Sequence, residues 1–167
     1  MKKKSLLSIA MLLLSVGISA QSIEGSWKGK KDVDISNGKI ATMHTYKADG
    51  TSATVLTMTL SEQDMTITFD IRIPGTYTKQ GDQLVQNYNK KASTLEMREL
   101  KGKETDQMDK AQKDIVMKEV AKKMDVFRTQ LTKSLPEKST RTIKTLTATD
   151  MVTISSKGKE QHFVRVK

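Results

Sequence analysis

The chain has 167 residues, a formal net charge of +10 at pH 7, only 4% aromatic residues and no cysteine. Its length suits one domain with a real apolar core, and the lack of cysteine excludes disulfides and a lipid attached to cysteine. Aromatic residues are too scarce for a surface that stacks single-stranded bases, so the basic charge indicates solubility and weak association, with no nucleic acid as partner.

The first 20 residues have the three parts of a secretory signal peptide. Residues 2–4 are lysines, an apolar run extends from Leu6 to Val16, and residues 17–20 are small or apolar residues that suit a cleavage site. The apolar run is about a dozen residues, shorter than the roughly 20 that a membrane-spanning helix needs. The sequence therefore predicts cleavage after Ala20, no membrane anchor after cleavage, and a mature domain of residues 21–167 in the periplasm or outside the cell.

Residues 23–91 have the pattern of successive β-strands, with turn signals such as Asn37-Gly38 and Pro74-Gly75 between them. The clearest strand is the run in which Met65, Ile67, Phe69, Ile71 and Ile73 alternate with polar residues. A second alternating run, with Leu56, Met58 and Leu60, precedes it across a polar turn. Alternation with a period of two predicts one buried and one solvated face, so these two runs are expected to form a hairpin.

Residues 105–135 differ, because they contain no glycine or proline and have apolar residues at helical spacing. One apolar face consists of Met117, Val120, Ala121, Met124, Phe127, Leu131 and Leu135. Met108, Ala111 and Ile115 lie on nearly the opposite side, so we expect a bend or break between Lys113 and Lys118, or a protruding half that meets a second copy. The interleaved charges argue against a helix that lies on a membrane.

The C-terminal part returns to strand patterns at residues 142–147, 151–156 and 161–166. Together with the earlier strands these make about eight or nine, enough to close a barrel. The predicted fold is mainly β: a single antiparallel up-and-down barrel with one long helical insertion, about 105–135, before the last strands.

The pattern resembles the lipocalin-like members of the calycin superfamily, closest to the compact bacterial exported domains. Gly25-Ser26-Trp27 stands at the start of the first mature strand, where that family has a Gly-x-Trp signature. The resemblance implies that Trp27 plugs the closed end of the barrel and that Arg165, on the last strand, packs over its ring as a structural pair. Such a pair is physically sound, because arginine gains cation–π attraction over an indole face.

No catalytic or metal-binding motif stands out, and we predict neither an enzyme nor a cofactor or metal site. The two histidines, His44 and His162, are on different predicted strands with no cysteine to join them, and each is interpreted as a strand histidine satisfied by a neighbour. Glu62, Asp64 and Asp70 are interpreted as solvated surface carboxylates.

The alternating apolar residues of the two hairpin strands are the feature that bears most on function. If they point into the barrel, they either fill it or surround one small ligand, because an eight-stranded barrel has room for either. We predict an exported, non-enzymatic protein that holds a small apolar or amphipathic ligand inside the barrel. The predicted ligand-binding residues are Leu56, Met58, Leu60, Met65, Ile67, Phe69, Ile71, Tyr77 and Tyr88. The alternative is a structural or interaction domain with a filled barrel, whose helix docks a protein partner or a second copy. A continuous apolar void above roughly 300 Å³ that opens between strand ends favours the carrier.

Overall fold

The computed structural model describes residues 21–167, so the predicted signal peptide lies outside the described residues. Within this range the strands are Gly25–Gly29 (β1), Val33–Ile35 (β2), Gly38–Tyr46 (β3), Thr51–Glu62 (β4), Met65–Gln80 (β5), Gln83–Tyr88 (β6), Thr94–Gly102 (β7), Lys138–Leu146 (β8), Asp150–Ser155 (β9) and Glu160–Val166 (β10). The helices are Lys103–Asp106 (α1) and Lys110–Ser134 (α2), and a short 3₁₀ turn covers Lys90–Ala92. Neither α-helix in this part of the chain is long and apolar enough to span a membrane.

Eight of the strands in residues 21–167 close an antiparallel barrel. Their order around the barrel is β1, β10, β9, β8, β6, β5, β4, β3, and the pairing of β1 with β3 completes the ring. Most neighbours in the ring are also consecutive along the chain. The chain runs through β2 between the paired strands β1 and β3, and through β7 and the helices between the paired strands β6 and β8. The predicted up-and-down barrel with a helical insertion before the last strands is confirmed.

The sheet branches in the middle of β5, the longest strand of the described residues. The second half of β5, from Gly75 onward, pairs with β6, whereas its first half, Met65 to Arg72, pairs with β7 instead. The change of partner occurs at Pro74-Gly75. A side chain on residue 75 would lie 2.1 Å from the carbonyl oxygen of Asn87, so only glycine permits this close approach of β5 to β6.

The inner face of the sheet carries two apolar clusters. The first fills one end of the barrel and consists of Ile23, Trp27, Tyr46, Leu84, Ile143, Met151 and Phe163, with Tyr77 and Leu146 packed against it. The second has Met58, Phe69, Ile71 and Ile73 at its centre, and its partly buried members include Met124, Phe127, Leu131 and Leu135 of α2. The helix therefore covers the inner face of the branch formed by the first half of β5, the second half of β4 and β7.

The helical insertion breaks earlier than the sequence pattern predicts. Residues 107–109 separate α1 from α2, and α2 then continues through Lys113–Lys118 without interruption. Asp109 starts it with a capping box, because its side chain accepts from the Gln112 backbone N–H and the Gln112 side chain accepts from the Asp109 N–H. The predicted bend at 113–118 is wrong, and the alternative, a half that meets a second copy, stays a prediction. Of the out-of-phase residues, Ala111 and Ile115 are exposed, Ile115 by 64%, and Met108 is partly buried.

Candidate functional site

A layer of polar side chains lies inside the barrel and touches both apolar clusters. We call it the interior polar cluster, and its members are His44, Tyr46, Ser52, Thr54, Gln86, Tyr88, Arg141 and Thr153. They come from β3, β4, β6, β8 and β9, and the strand registers place them on the inner face with the apolar residues. Tyr46 belongs to the first apolar cluster and Tyr88 packs against the second, so the polar layer lies between them.

Gln86 is the centre of the hydrogen bonds in this cluster. Its side-chain oxygen accepts from the Tyr46 hydroxyl at 3.4 Å and the Tyr88 hydroxyl at 3.3 Å, and its amide nitrogen donates to Thr54 Oγ1 at 3.0 Å. A longer contact of 3.5 Å reaches Ser52 Oγ. A buried amide that uses both of its ends in this way avoids the cost of burying unsatisfied polar groups.

His44 is buried, and its two ring nitrogens have different partners. Nδ1 lies 2.9 Å from Thr54 Oγ1, and Nε2 lies 3.5 Å from Nη1 of Arg141. Arginine can only donate, so Nε2 accepts and the proton of the neutral ring resides on Nδ1, which donates to Thr54. Burial, together with the positive charge of Arg141, lowers the pKa of His44 from 6.5 to about 3, so the ring is a neutral acceptor at physiological pH.

Arg141 brings a positive charge into the barrel without a matching carboxylate. Among residues 21–167, no Asp, Glu or terminal carboxylate oxygen lies within the 4.0 Å of an ion pair with its guanidinium. Its hydrogen-bond contact in the described chain is the single long one to His44. On the adjacent strand Thr153 is 0% exposed, and its hydroxyl has no hydrogen-bond partner in the described residues. This part of the cluster therefore has hydrogen-bonding capacity that the described residues do not use.

A cavity of about 740 Å³ opens between the β1–β2 connection and the β9–β10 turn. We call it the mouth, and its lining is Gly29, Lys30, Lys31, Asp32, Val33, Thr42, Lys159, Glu160, Gln161, His162 and Phe163. Gly29 pairs with Phe163, and the Phe163 ring lies edge-on to His44 with 5.4 Å between centroids. Phe163 is therefore the side chain that stands between the mouth and the interior polar cluster.

Trp27 and Arg165 lie against each other at the opposite end of the barrel. The Arg165 guanidinium carbon lies 4.3 Å from the centroid of the buried Trp27 ring, and the indole N–H donates to the Ile23 carbonyl at 2.7 Å. Arg165 also donates to the carbonyls of Ser22, at 2.8 Å, and Glu24. Gly25 has a φ of 117°, and a side chain there would lie 2.7 Å from the Arg165 guanidinium, which explains why glycine precedes this tryptophan.

The predicted ligand-binding residues are divided between several environments. Met58, Phe69 and Ile71 are buried in the second apolar cluster, and Leu56, Leu60 and Ile67 are partly buried against it. The expectation that residues 65–71 line the closed barrel is wrong, because this half of β5 pairs with β7 on the branch and faces α2. Met65, at the end of the hairpin, is 43% exposed and does not contribute to an enclosed interior.

The two predicted tyrosines are diagonal neighbours across β5 and β6 on the inner face, but their side chains have different partners. Tyr77 packs against the first apolar cluster, and its hydroxyl donates to the Lys47 carbonyl at 2.9 Å, which ties down the loop between β3 and β4. Tyr88 packs against the second cluster and donates to Gln86. Of the two, Tyr88 is therefore the one that belongs to the interior polar cluster.

The histidines do not meet. His44 faces inward, whereas the exposed His162 contacts Glu160 at 2.8 Å on the outer surface. Among the residues that the structure describes, no three His, Asp or Glu side chains are grouped so that they could hold a metal ion. Asp70 also differs from expectation: it is 8% exposed and accepts from Thr57 at 2.7 Å and from Arg98 at 2.6 and 2.8 Å, so its interpretation as a solvated carboxylate is wrong.

Sequence reasoning missed most of the interior polar cluster. The available signal was polar residues in the same alternating row as core residues: His44 with Tyr46, and Arg141 with Ile143. No protein-family model matches the chain, and no curated protein matches its sequence.

Proposed function

We propose that this chain is an exported, non-enzymatic binding protein that holds one small apolar or amphipathic molecule inside its barrel. The observation that carries the proposal is the buried Thr153 hydroxyl, which has no hydrogen-bond partner in the described residues. It lies on the strand next to the partly buried Arg141, whose side-chain hydrogen bond within the described residues is the long one to His44. A barrel that only had to be filled would be more stable with an apolar side chain at position 153, because a buried polar group without a partner costs free energy.

The arrangement of polar and apolar surface supports an amphipathic ligand. The interior polar cluster is bounded on one side by Trp27 and Phe163 of the first apolar cluster, and on the other by Ile73 and Leu56 next to the helix-covered branch. Ligand sites of proteins combine mostly apolar walls with a few placed polar groups in this manner. A molecule with one polar end and a short apolar part matches both surfaces.

The mouth lies next to this interior, with Phe163 between them. Its volume of about 740 Å³ exceeds the roughly 300 Å³ at which ligand pockets begin, and it opens between strand ends, where small barrels admit ligands. The Phe163 ring forms its inner wall against His44.

A binding role is better supported than catalysis. The Nε2 atom of His44 accepts from Arg141, Nδ1 donates to Thr54, and the pKa of about 3 removes the ring from general acid or base work near neutral pH. The groups that remain available are a guanidinium and a hydroxyl, which bind and orient anions or carbonyls.

Export and the lipocalin-like assignment are part of the same proposal. The basic, apolar and small segments of residues 1–20 support a cleaved signal peptide and a periplasmic or secreted location. The up-and-down barrel closed by a Trp27–Arg165 pair supports a lipocalin-like protein.

A second candidate is an interaction domain that binds a protein partner or a second copy through α2. Ile115 and Val126 favour it, because these helix residues are 64% and 61% exposed. The main apolar face of the helix, however, packs on the protein's own sheet through Met124, Phe127 and Leu131. The apolar surface that is left for a partner is therefore small.

Native mass spectrometry of the protein purified from its own source, without denaturation, distinguishes the two candidates. We expect a monomer that is heavier than the bare chain by one small molecule, and we expect the same preparation to lose that mass after unfolding and refolding. A bare dimer would support the interaction domain, and a bare monomer would contradict the carrier.

A further inference from the structure

We propose that Gln21 is a modification site: the exported protein begins with a pyroglutamate, which forms when the Gln21 side chain closes onto its own α-amine. This inference rests on the cleavage after Ala20 that the proposed function includes, because cleavage there makes Gln21 the first residue. It concerns the N-terminus at the closed end of the barrel, and it does not depend on which ligand the interior holds.

The segment that follows Gln21 is fixed at the closed end of the barrel. The Ser22 carbonyl accepts a hydrogen bond from Arg165 at 2.8 Å. Ile23 is only 4% exposed, and its carbonyl accepts from the indole N–H of Trp27 at 2.7 Å. The fixed backbone therefore begins at the second residue of the mature chain.

Gln21 itself is exposed and lies outside any helix or strand. Closure of a five-membered ring needs rotations only about the Cα–Cβ, Cβ–Cγ and Cγ–Cδ bonds of this residue. The fixed backbone that begins at Ser22 is therefore no obstacle to the reaction. The folded protein can undergo it as readily as a flexible peptide.

The reaction is an intramolecular acyl transfer. The lone pair of the neutral α-amine attacks the side-chain carbonyl carbon Cδ, so that a bond from the amine nitrogen to Cδ forms and the bond from Cδ to Nε2 breaks. The amide nitrogen leaves as ammonia with the proton that the amine gives up, and no oxidant, reductant or second substrate is consumed. The attack is favoured because both reacting groups belong to one residue. The product is a lactam with neither a charge nor a free amine.

The surroundings of the N-terminus favour an uncharged lactam over an α-ammonium group. Because Ser22 directly follows Gln21, its contact with Arg165 places the α-amine within about 10 Å of the guanidinium. No carboxylate of residues 21–167 lies within ion-pair distance of Arg165. Two nearby positive charges repel each other, so the amine loses its proton more readily, and the neutral amine is the form that reacts.

The lactam would protect the segment that closes the barrel. Aminopeptidases need a free α-amine, and only Gln21 and Ser22 precede the buried Ile23 in the mature chain. Loss of these two residues would remove the Ser22 carbonyl that Arg165 binds. A chain that begins with a lactam gives such an enzyme no amine on which to start.

The test is mass spectrometry of the tryptic peptide 21–28 from the protein purified from its own source. We expect this peptide to be lighter than its sequence mass by one ammonia molecule, and fragmentation should locate the loss at Gln21. An isotope-labelled synthetic peptide of the same sequence, with an open Gln21, is added at lysis to measure closure during handling. The labelled peptide should stay mostly open, whereas nearly all copies from the protein should be closed.

Gln21→Met is the matched control, because methionine has a similar length but no carbonyl for the amine to attack. This variant should lose no ammonia, and an aminopeptidase should remove its first residue while the wild-type protein resists. An open Gln21 in the wild-type protein would overturn the inference and leave export standing. A chain still joined to residues 1–20 would contradict export and the inference together. Equal closure of the labelled peptide and the protein would assign the ring to handling and overturn the inference.

Discussion

The guanidinium of Arg165 lies over the ring of Trp27, 4.3 Å from its centroid, and joins the last strand of the barrel to the first. The two residues are directly paired in the register of β1 and β10. The same arginine donates to backbone carbonyls of residues 22 and 24 before β1. One side chain thus covers the indole and also hydrogen-bonds the backbone carbonyls of the segment that leads into β1. The closed end of the barrel therefore depends on this pair.

We expect Trp27→Ala to lower the free energy of unfolding by about 3–5 kcal/mol, because it removes a fully buried aromatic side chain and leaves a cavity at the closed end. Urea unfolding followed by circular dichroism measures this, since the substitution removes the only tryptophan fluorophore. Arg165→Lys, which keeps the charge but loses the planar stacking group, should cost less. A loss below about 1 kcal/mol for Trp27→Ala would mean that the ring is peripheral to stability.

The buried His44 should make stability depend on pH. Its pKa is lowered to about 3 in the folded protein from 6.5, so the unfolded chain binds one more proton between these values. The contribution to stability is therefore fully present above pH 6.5 and is lost as the pH falls toward 3.

The effect of His44 on stability should be measurable between about pH 5 and 6.5. The carboxylates whose pKa values are lowered, such as Asp150 and Glu160, change the stability only at lower pH. Between about pH 5 and 6.5 the free energy of unfolding should fall by up to about 1.4 kcal/mol per pH unit, and His44→Gln should remove this slope. His162→Gln is the control, because its ring is exposed on the outer face. A slope that survives in His44→Gln and disappears in His162→Gln would contradict the assignment.

The helix should stabilise the branch of the sheet through one face only. Phe127 meets Phe69 edge-on with 6.2 Å between ring centroids, whereas its neighbour Val126 is 61% exposed. We expect Phe127→Ala to cost about 2–3 kcal/mol and Val126→Ala less than about 0.5 kcal/mol. Chemical unfolding of both variants tests this, and similar losses for the two would show that the helix does not pack as described.

Asp70 and Arg98 should be energetically coupled. The carboxylate is nearly buried and accepts from Arg98 and Thr57, so removing the arginine leaves it without its cation. We expect Asp70→Ala to cost about 1–2 kcal/mol and Arg98→Met to lower the free energy of unfolding as well. The double variant should cost less than the sum of the two, because the interaction between the side chains is lost only once. Additive losses in the double-mutant cycle would show that the pair contributes nothing of its own.

The barrel and the helical insertion could be predicted from local patterns, because strand alternation, turn residues and the Pro136 stop are all short-range signals. Strand β7 could not be predicted from such local patterns. The register with β5 shifts between Thr68 and Phe69, so Arg98 is an extra residue that interrupts the alternation of Leu95 and Met97 before Leu100. A β-bulge of this kind breaks the period of two on which strand prediction depends.

The candidate site was harder to predict than the fold, for two physical reasons. The branch of β5 depends on which strand pairs with each half, a long-range property, so the row from Met65 to Ile71 could not be distinguished from a row inside the barrel. The contact of Arg141 with His44 joins residues from β8 and β3, which lie on different sides of the closed barrel, and no local pattern places them together.

A crystal structure of the protein purified from its own source, without unfolding, tests the binding proposal most directly. We expect electron density for one small non-protein molecule inside the barrel, in contact with the guanidinium of Arg141 and bounded by His44 and Thr153. An interior filled by the protein's own side chains, with Arg141 turned out to solvent, would contradict it.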